Sequence, residues 1–160
     1  MTMTRKIPLA LLMASALLAA GATTTASHEH KSTGHKSSYS AGEPGDPAKP
    51  SREIVVEMSE MDYSPGRIEV KLGEQIRFVV RNVGTEDHEF LLASTRDNLK
   101  HAEMMRQHPR MANDEPNGLR LARKQAGEIL WKFTKAGMFE YSCLIPTHRE
   151  YGMTGKVVVK

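Results

Sequence analysis

Cys143 is the only cysteine among 160 residues, and soft donors recur after it at equal steps: His148 five residues on, then Met153 five beyond that. A second imidazole, His88, lies far upstream. Two imidazoles, one thiolate and a weakly held thioether are the donor set of a blue-copper electron-transfer site. Thiolate and thioether suit the cuprous ion, while imidazole serves either oxidation state, so these four side chains could hold copper through a one-electron cycle. Taken singly, each has a plainer reading as a buried thiol, a surface histidine or a core methionine. Their joint spacing sets them apart.

Donors this far apart in the chain need a rigid frame. Ile54 to Met58, Arg67 to Lys71, Gln75 to Arg81, His88 to Leu92, Gly127 to Phe133, Gly137 to Leu144 and Thr154 to Val159 read as strands, rich in β-branched and aromatic residues. Turn signals such as Leu72 to Glu74 and Asn82 to Gly84 separate them. Short strands with frequent turns predict an all-β sandwich. Within it Cys143 ends one strand, Met153 precedes the next, and His148 lies in the loop between them. His88 comes from a neighbouring strand end. A site held this way keeps its shape as the metal charge changes, which lowers the reorganisation that electron transfer requires. One segment departs from the pattern: Asp97 to Gln107 reads as helix, with Asp97 as its cap and Pro109 as its stop, giving a helical insertion around residues 97–108. The connection from Thr95 to Gln125 is long for a sandwich, and such insertions are usually functional or mobile.

The N-terminus predicts the compartment. Arg5 and Lys6 precede the apolar run Ile7 to Ala20, and small residues follow through Ala26. This is the pattern of a secretory signal peptide over residues 1–26, cleaved after Ala22 or Ala26. The apolar run is shorter than the ~20 residues of a spanning helix, so the mature chain is expected to carry no membrane span and to be periplasmic. Residues 27–52 are rich in Ser, Gly, Pro, Lys and His and read as a flexible tail. The folded domain is expected over residues 53–160. Of the 22 basic residues, Arg5 and Lys6 belong to the leader, which leaves 20 against 19 acidic ones. That balance, with no basic block interleaved with aromatics, excludes a nucleic-acid footprint. An unpaired thiol in an exported chain needs an explanation, and a metal holding it as thiolate supplies one.

The chain resembles the single-domain cupredoxins, the family of azurin, pseudoazurin, plastocyanin and rusticyanin. The resemblance rests on Tyr141, Ser142 and Cys143, on Gly152, Met153, Thr154 and Gly155, and on the Val-rich last strand. Four residues separate Cys143 from His148 and four separate His148 from Met153, a spacing similar to that of rusticyanin. Within the family it is similar to periplasmic copper-tolerance cupredoxins, through Asp87 to Phe90, His101 to Pro109, Asp114 to Asn117 and Cys143 to His148. The resemblance implies a Greek-key β-sandwich with one type 1 copper per chain. It also implies His88, Cys143 and His148 as equatorial ligands, Met153 as axial ligand, and Nε2 of His148 near the surface as electron port. Thr147 stands where many members have Gly, a change expected to be tolerated if its backbone angles are ordinary. Glu89 stands where many have Asn or Ser, so a green, more tetragonal centre is among the expectations.

Other chemistries fit poorly. A Cys-His protease leaves Met153 unexplained, structural zinc does not use thioether, and binuclear or multicopper centres need a second Cys or paired His motifs. The reading is therefore a non-enzyme, a monomer whose partners are copper ions and a transient redox protein. A metal-free interaction sandwich is the remaining class, and it leaves Cys143 without a purpose. His101, Met104, Met105 and His108 share one helix face. They are either a weak second copper site or an amphipathic face that packs Met104 and Met105 on the sandwich. His28, His30 and His35 in the tail are at most weak metal scavengers.

Overall fold

The alternation read from the sequence is realised as two sheets in a computed structural model that describes residues 38–49, 51–107 and 115–160. One sheet has the order β1 (Glu43–Pro44), β8 (Ala126–Lys132), β5 (Gln75–Asn82), β2 (Arg52–Ser59) and β3 (Asp62–Ser64). The other has the order β4 (Arg67–Val70), β10 (Thr154–Val159), β9 (Gly137–Ser142), β6 (His88–Ala93) and β7 (Gly118–Leu121). Pairing is parallel between β2 and β5 and between β4 and β10, and antiparallel elsewhere. The helix α1 (Thr95–Gln107) is inserted between β6 and β7. Among the described residues no helix is long and apolar enough to cross a membrane.

Val56, Phe78, Val80 and Trp131 from the first sheet and Phe90, Leu92, Phe139, Tyr141 and Val157 from the second form one buried cluster. Each large side chain so buried contributes about 1.5–3 kcal/mol. Tyr63 crosses between the sheets, edge-on to both Phe90 and Tyr141, and Phe90 stacks on Tyr141. The same two-residue period carries the donors. His88 continues the inward series of Phe90 and Leu92, Cys143 that of Phe139 and Tyr141, and Met153 that of Gly155, Val157 and Val159. All three thus point inward at one end of the sandwich.

Three details differ from the sequence reading. Part of the segment expected to be a tail is packed: Tyr39 stands edge-on to Trp131, Ala41 is fully buried, and β1 pairs with β8. An aromatic and a small apolar residue suffice here because β8 offers an open edge. The helix begins at Thr95 rather than Asp97, because Ser94 is the cap. Its Oγ accepts from the Asp97 amide at 3.2 Å while donating to Asp97 Oδ2 at 2.8 Å. Finally, the long connection contains β7, where Leu119 and Leu121 alternate with Gly118 and Arg120 opposite β6.

Candidate metal centre

Each donor is positioned by an ordinary feature of the chain. His88 opens β6 after a loop folded by Asn82, whose Nδ2 donates to the carbonyls of Glu86 and Leu121 at 2.7 and 3.0 Å. Asn82 Oδ1 also accepts from the Gly84 amide at 3.0 Å. A Cβ at Gly84 would sit 3.0 Å from His88 Nε2, a closer approach than side chains ordinarily make, so the backbone passes close to the imidazole. Cys143 follows β9, and its amide donates to the carbonyl of Met153 at 3.2 Å, which closes the loop of residues 144–152. Within that loop the His148 amide donates to the Ile145 carbonyl, and the Met153 amide to the His148 carbonyl, each at 3.1 Å.

The donor atoms of His88, Cys143 and His148 converge within 4.8 Å of one another, and all three residues are buried. Cys143 Sγ lies 3.3 Å from His148 Nδ1 and accepts the Glu89 amide at 3.3 Å. Both ring nitrogens of His88 are buried and have no hydrogen-bond partner among the described residues. Leaving such groups unmatched is costly, and a metal would satisfy one of them. Met153 is fully buried, and its backbone bonds to Cys143 and to His148. On the outer side His148 Nε2 faces Glu86 Oε2 at 3.5 Å. The buried Glu89 carboxylate lies 3.9 Å from Arg120, its partner across β6 and β7.

Burial pushes the Cys143 thiol up to about 11, opposed by the amide bonds from Glu89 and Ile145. His88 is pushed down, first by burial and then by neighbouring His148. The metal-free pocket therefore holds a neutral thiol and a neutral imidazole, and binding a metal as thiolate must release the proton of Cys143. A pH dependence follows. A thiol raised from 9.0 to about 11 in the folded state gives stability that is complete below pH 9 and lost as pH rises to 11. The loss tends to about 3 kcal/mol above pH 11 and is about 2 kcal/mol at pH 11. Tyr63 and Tyr141 are raised as well and add to it, so urea unfolding of the metal-free protein should be compared with Cys143→Ser at pH 8 and 11. The alkaline loss should be smaller in the variant by that amount.

Residues 51–160 match the family model of copper binding proteins, plastocyanin/azurin family. The chain belongs to that family of copper-binding proteins. A copper-resistant cuproprotein CopI of Rubrivivax gelatinosus is 45% identical over 157 residues, covering 94% of this chain and 95% of the relative. Another CopI, from Pseudomonas aeruginosa, is 29% identical over 185 residues, covering 98% of this chain and 97% of the relative. Dithionite-reduced auracyanin of Roseiflexus castenholzii shares the fold with a TM-score of 0.59 at 18% identity, over 70% of this chain and 99% of auracyanin. Copper is thus the cofactor, and the buried soft-donor cluster is chemically suited to it.

Thr147 corrects an expectation. Its φ is +78°, in the left-handed region, so its backbone angles are not ordinary. A β-branched residue there is strained by roughly 1–3 kcal/mol. Thr147→Gly relieves this strain at some cost in unfolded-chain entropy, so a net gain of about 1 kcal/mol is expected in urea unfolding.

The secondary His and Met set is only partly placed. His101, Met104 and Met105 lie on α1, while His108 and the tail histidines fall outside the described residues. Met104 is 38% exposed and Met105 half-buried, and neither belongs to the core cluster. The buried residue of α1 is Asn98, whose Nδ2 donates to the Glu140 carbonyl at 3.2 Å and to Ser142 Oγ at 3.3 Å. Sequence reasoning missed Asn98, Glu86, Glu140 and Arg149. Glu140 carried no signal, since a charge between Phe139 and Tyr141 is what any outward strand position shows.

Proposed function

We propose that this protein is an exported, periplasmic copper protein that serves copper tolerance, with His88, Cys143 and His148 as its main ligands and Met153 as a weak fourth. The convergence of the three buried donor atoms within 4.8 Å carries this reading. The names of the CopI relatives and the leader-like residues 1–26 support it. Copper supplies a one-electron couple when bound. The chain's own part is to hold a thiolate and two imidazoles in a dry pocket, with the Glu89 amide on the sulfur and Glu86 at the outer nitrogen of His148. Such outer contacts orient ligands and tune the metal. We read the protein as a monomeric binding and redox protein, not an enzyme.

One observation favours a second role on the same site. His148 Nε2 looks outward to Glu86, whose side chain is 59% exposed, a short route for an electron to a docked protein. As a carrier the protein would serve a redox partner rather than protect against copper. Copper titration should reach one equivalent per chain with intense visible absorption. A colourless product would end the copper-site reading. Deleting the gene should impair growth in excess copper; normal growth there with impaired respiration would select the carrier role.

A further inference from the structure

The ligand loop is tied to the helical insertion by a chain of polar contacts running through the outer face of β9. Glu140 lies at an outward position of that strand yet is only 9% exposed, because α1 covers it. Its carboxylate receives Arg149 in a fork: Nε to Oε1 at 3.2 Å, Nη2 to Oε1 at 3.1 Å and Nη2 to Oε2 at 3.1 Å. Arg149 is the residue after His148. From the helix, Thr95 Oγ1 donates to Glu140 Oε2 at 3.3 Å, and the fully buried Asn98 donates to the Glu140 carbonyl and, at 3.4 Å, to Oε1. Ser142 Oγ completes the set with a short bond to Oε1. A second tie joins helix and loop directly, Arg106 Nη1 to Glu150 Oε1 at 3.7 Å.

This arrangement is not the one that stability alone would select. A largely buried ion pair repays its desolvation poorly against apolar residues of similar size, and Asn98 Oδ1 is buried with no partner among the described residues. What the network does provide is direction. A forked guanidinium–carboxylate pair fixes both distance and plane, and here it fixes the chain next to a ligand whose neighbouring backbone bonds run within the loop itself.

We propose that Glu140 and Arg149 are positioning residues for the copper ligand His148, and that α1 holds them in place through Asn98 and Thr95. The insertion thereby governs how firmly the loop of residues 144–152 keeps its metal. This rests on the copper-site reading above. Charge adds a second consequence. Glu140 neutralises Arg149, so its removal leaves a cation beside the centre, which disfavours the more highly charged cupric state.

The test uses Glu140→Gln, Asn98→Ala and Arg149→Lys in the full chain. In the metal-free protein, amides of residues 144–152 should exchange about 10-fold faster in Glu140→Gln and Asn98→Ala, the size of effect expected for losing a charged hydrogen bond. Amides of β2 and β5 should keep wild-type rates, which shows that the fold persists. In the copper-loaded protein, Glu140→Gln should release copper to an excess of chelator about 10-fold faster, in line with loss of an outer partner of a ligand. Its visible band should shift and its midpoint potential rise. Arg149→Lys keeps the charge without the fork and should fall between wild type and Glu140→Gln. Unchanged loop exchange in both Glu140→Gln and Asn98→Ala would overturn the proposal, as would wild-type release, band and potential in Glu140→Gln. A wild-type protein that never takes up copper would instead defeat the copper-site reading, and the exchange measurements on metal-free protein would still judge the network.

Discussion

Cys143→Ser is expected to abolish the intense visible absorption of the copper-loaded protein and to weaken copper binding by more than about 100-fold, beyond what loss of an outer partner costs. The absorption depends on sulfur-to-copper charge transfer, which an alcohol oxygen cannot supply, and serine remains protonated where a metal-bound cysteine does not. The fold should survive. Serine is the smaller residue, and its Oγ can still accept the Glu89 amide that Sγ accepts at 3.3 Å. A stability change within about 2 kcal/mol is therefore expected in urea unfolding of the metal-free variant. A Cys143→Ser protein that kept the absorption would remove the sulfur from the site and end the ligand assignment.

Gly155→Ala should cost far more stability than a methyl group added at Gly73. A Cβ at this position would lie 2.0 Å from Cε2 and 2.1 Å from Cζ of Tyr141. The ring cannot step aside. It stacks on Phe90 with centroids 5.1 Å apart, meets Tyr63 edge-on at 5.1 Å, and donates its hydroxyl to the Pro65 carbonyl. Overpacking a filled core costs about 1–3 kcal/mol, and more where the neighbours are pinned, so about 3 kcal/mol or more is expected from urea unfolding. Because Tyr141 stands two residues before Cys143, and Phe90 two after His88, the copper band should shift as well. Gly73→Ala is the control. Nothing lies within 4 Å of its Cβ, and its φ of +84° leaves only a left-handed strain of about 1–2 kcal/mol. Equal losses at the two positions would show that the Tyr141 stack is not rigid.

Residue type and spacing along one chain were enough to single out the three residues whose donor atoms converge, and most of the strands that frame them. Cys143, His148 and Met153 lie within ten residues and flank a strand boundary, so local order alone puts them near one another. The two-residue period places Phe139, Tyr141 and Cys143 on one face whatever the sheet pairs with, and β10 runs over Thr154–Val159 as the Val-rich alternation predicts. Short elements escaped that reading. β1 has two residues and β3 three, too few for a period to show, and both exist because a neighbouring strand offers an edge.

What only the tertiary structure decided is how distant segments meet. That Glu89 turns its amide toward Cys143 follows from two strands meeting 54 residues apart in the chain. The burial of Asn98 on α1, and of Glu140 at an outward strand position, depend on one element covering another. Neither leaves a periodic trace in either segment. The left-handed turn at Thr147 belongs to the same class, since a loop closed at both ends by the Cys143–Met153 pairing imposes its angles on whatever residue it contains. Chemistry here was written into local order, whereas the contacts that aim and tune it arise from non-local packing, which a linear pattern does not encode.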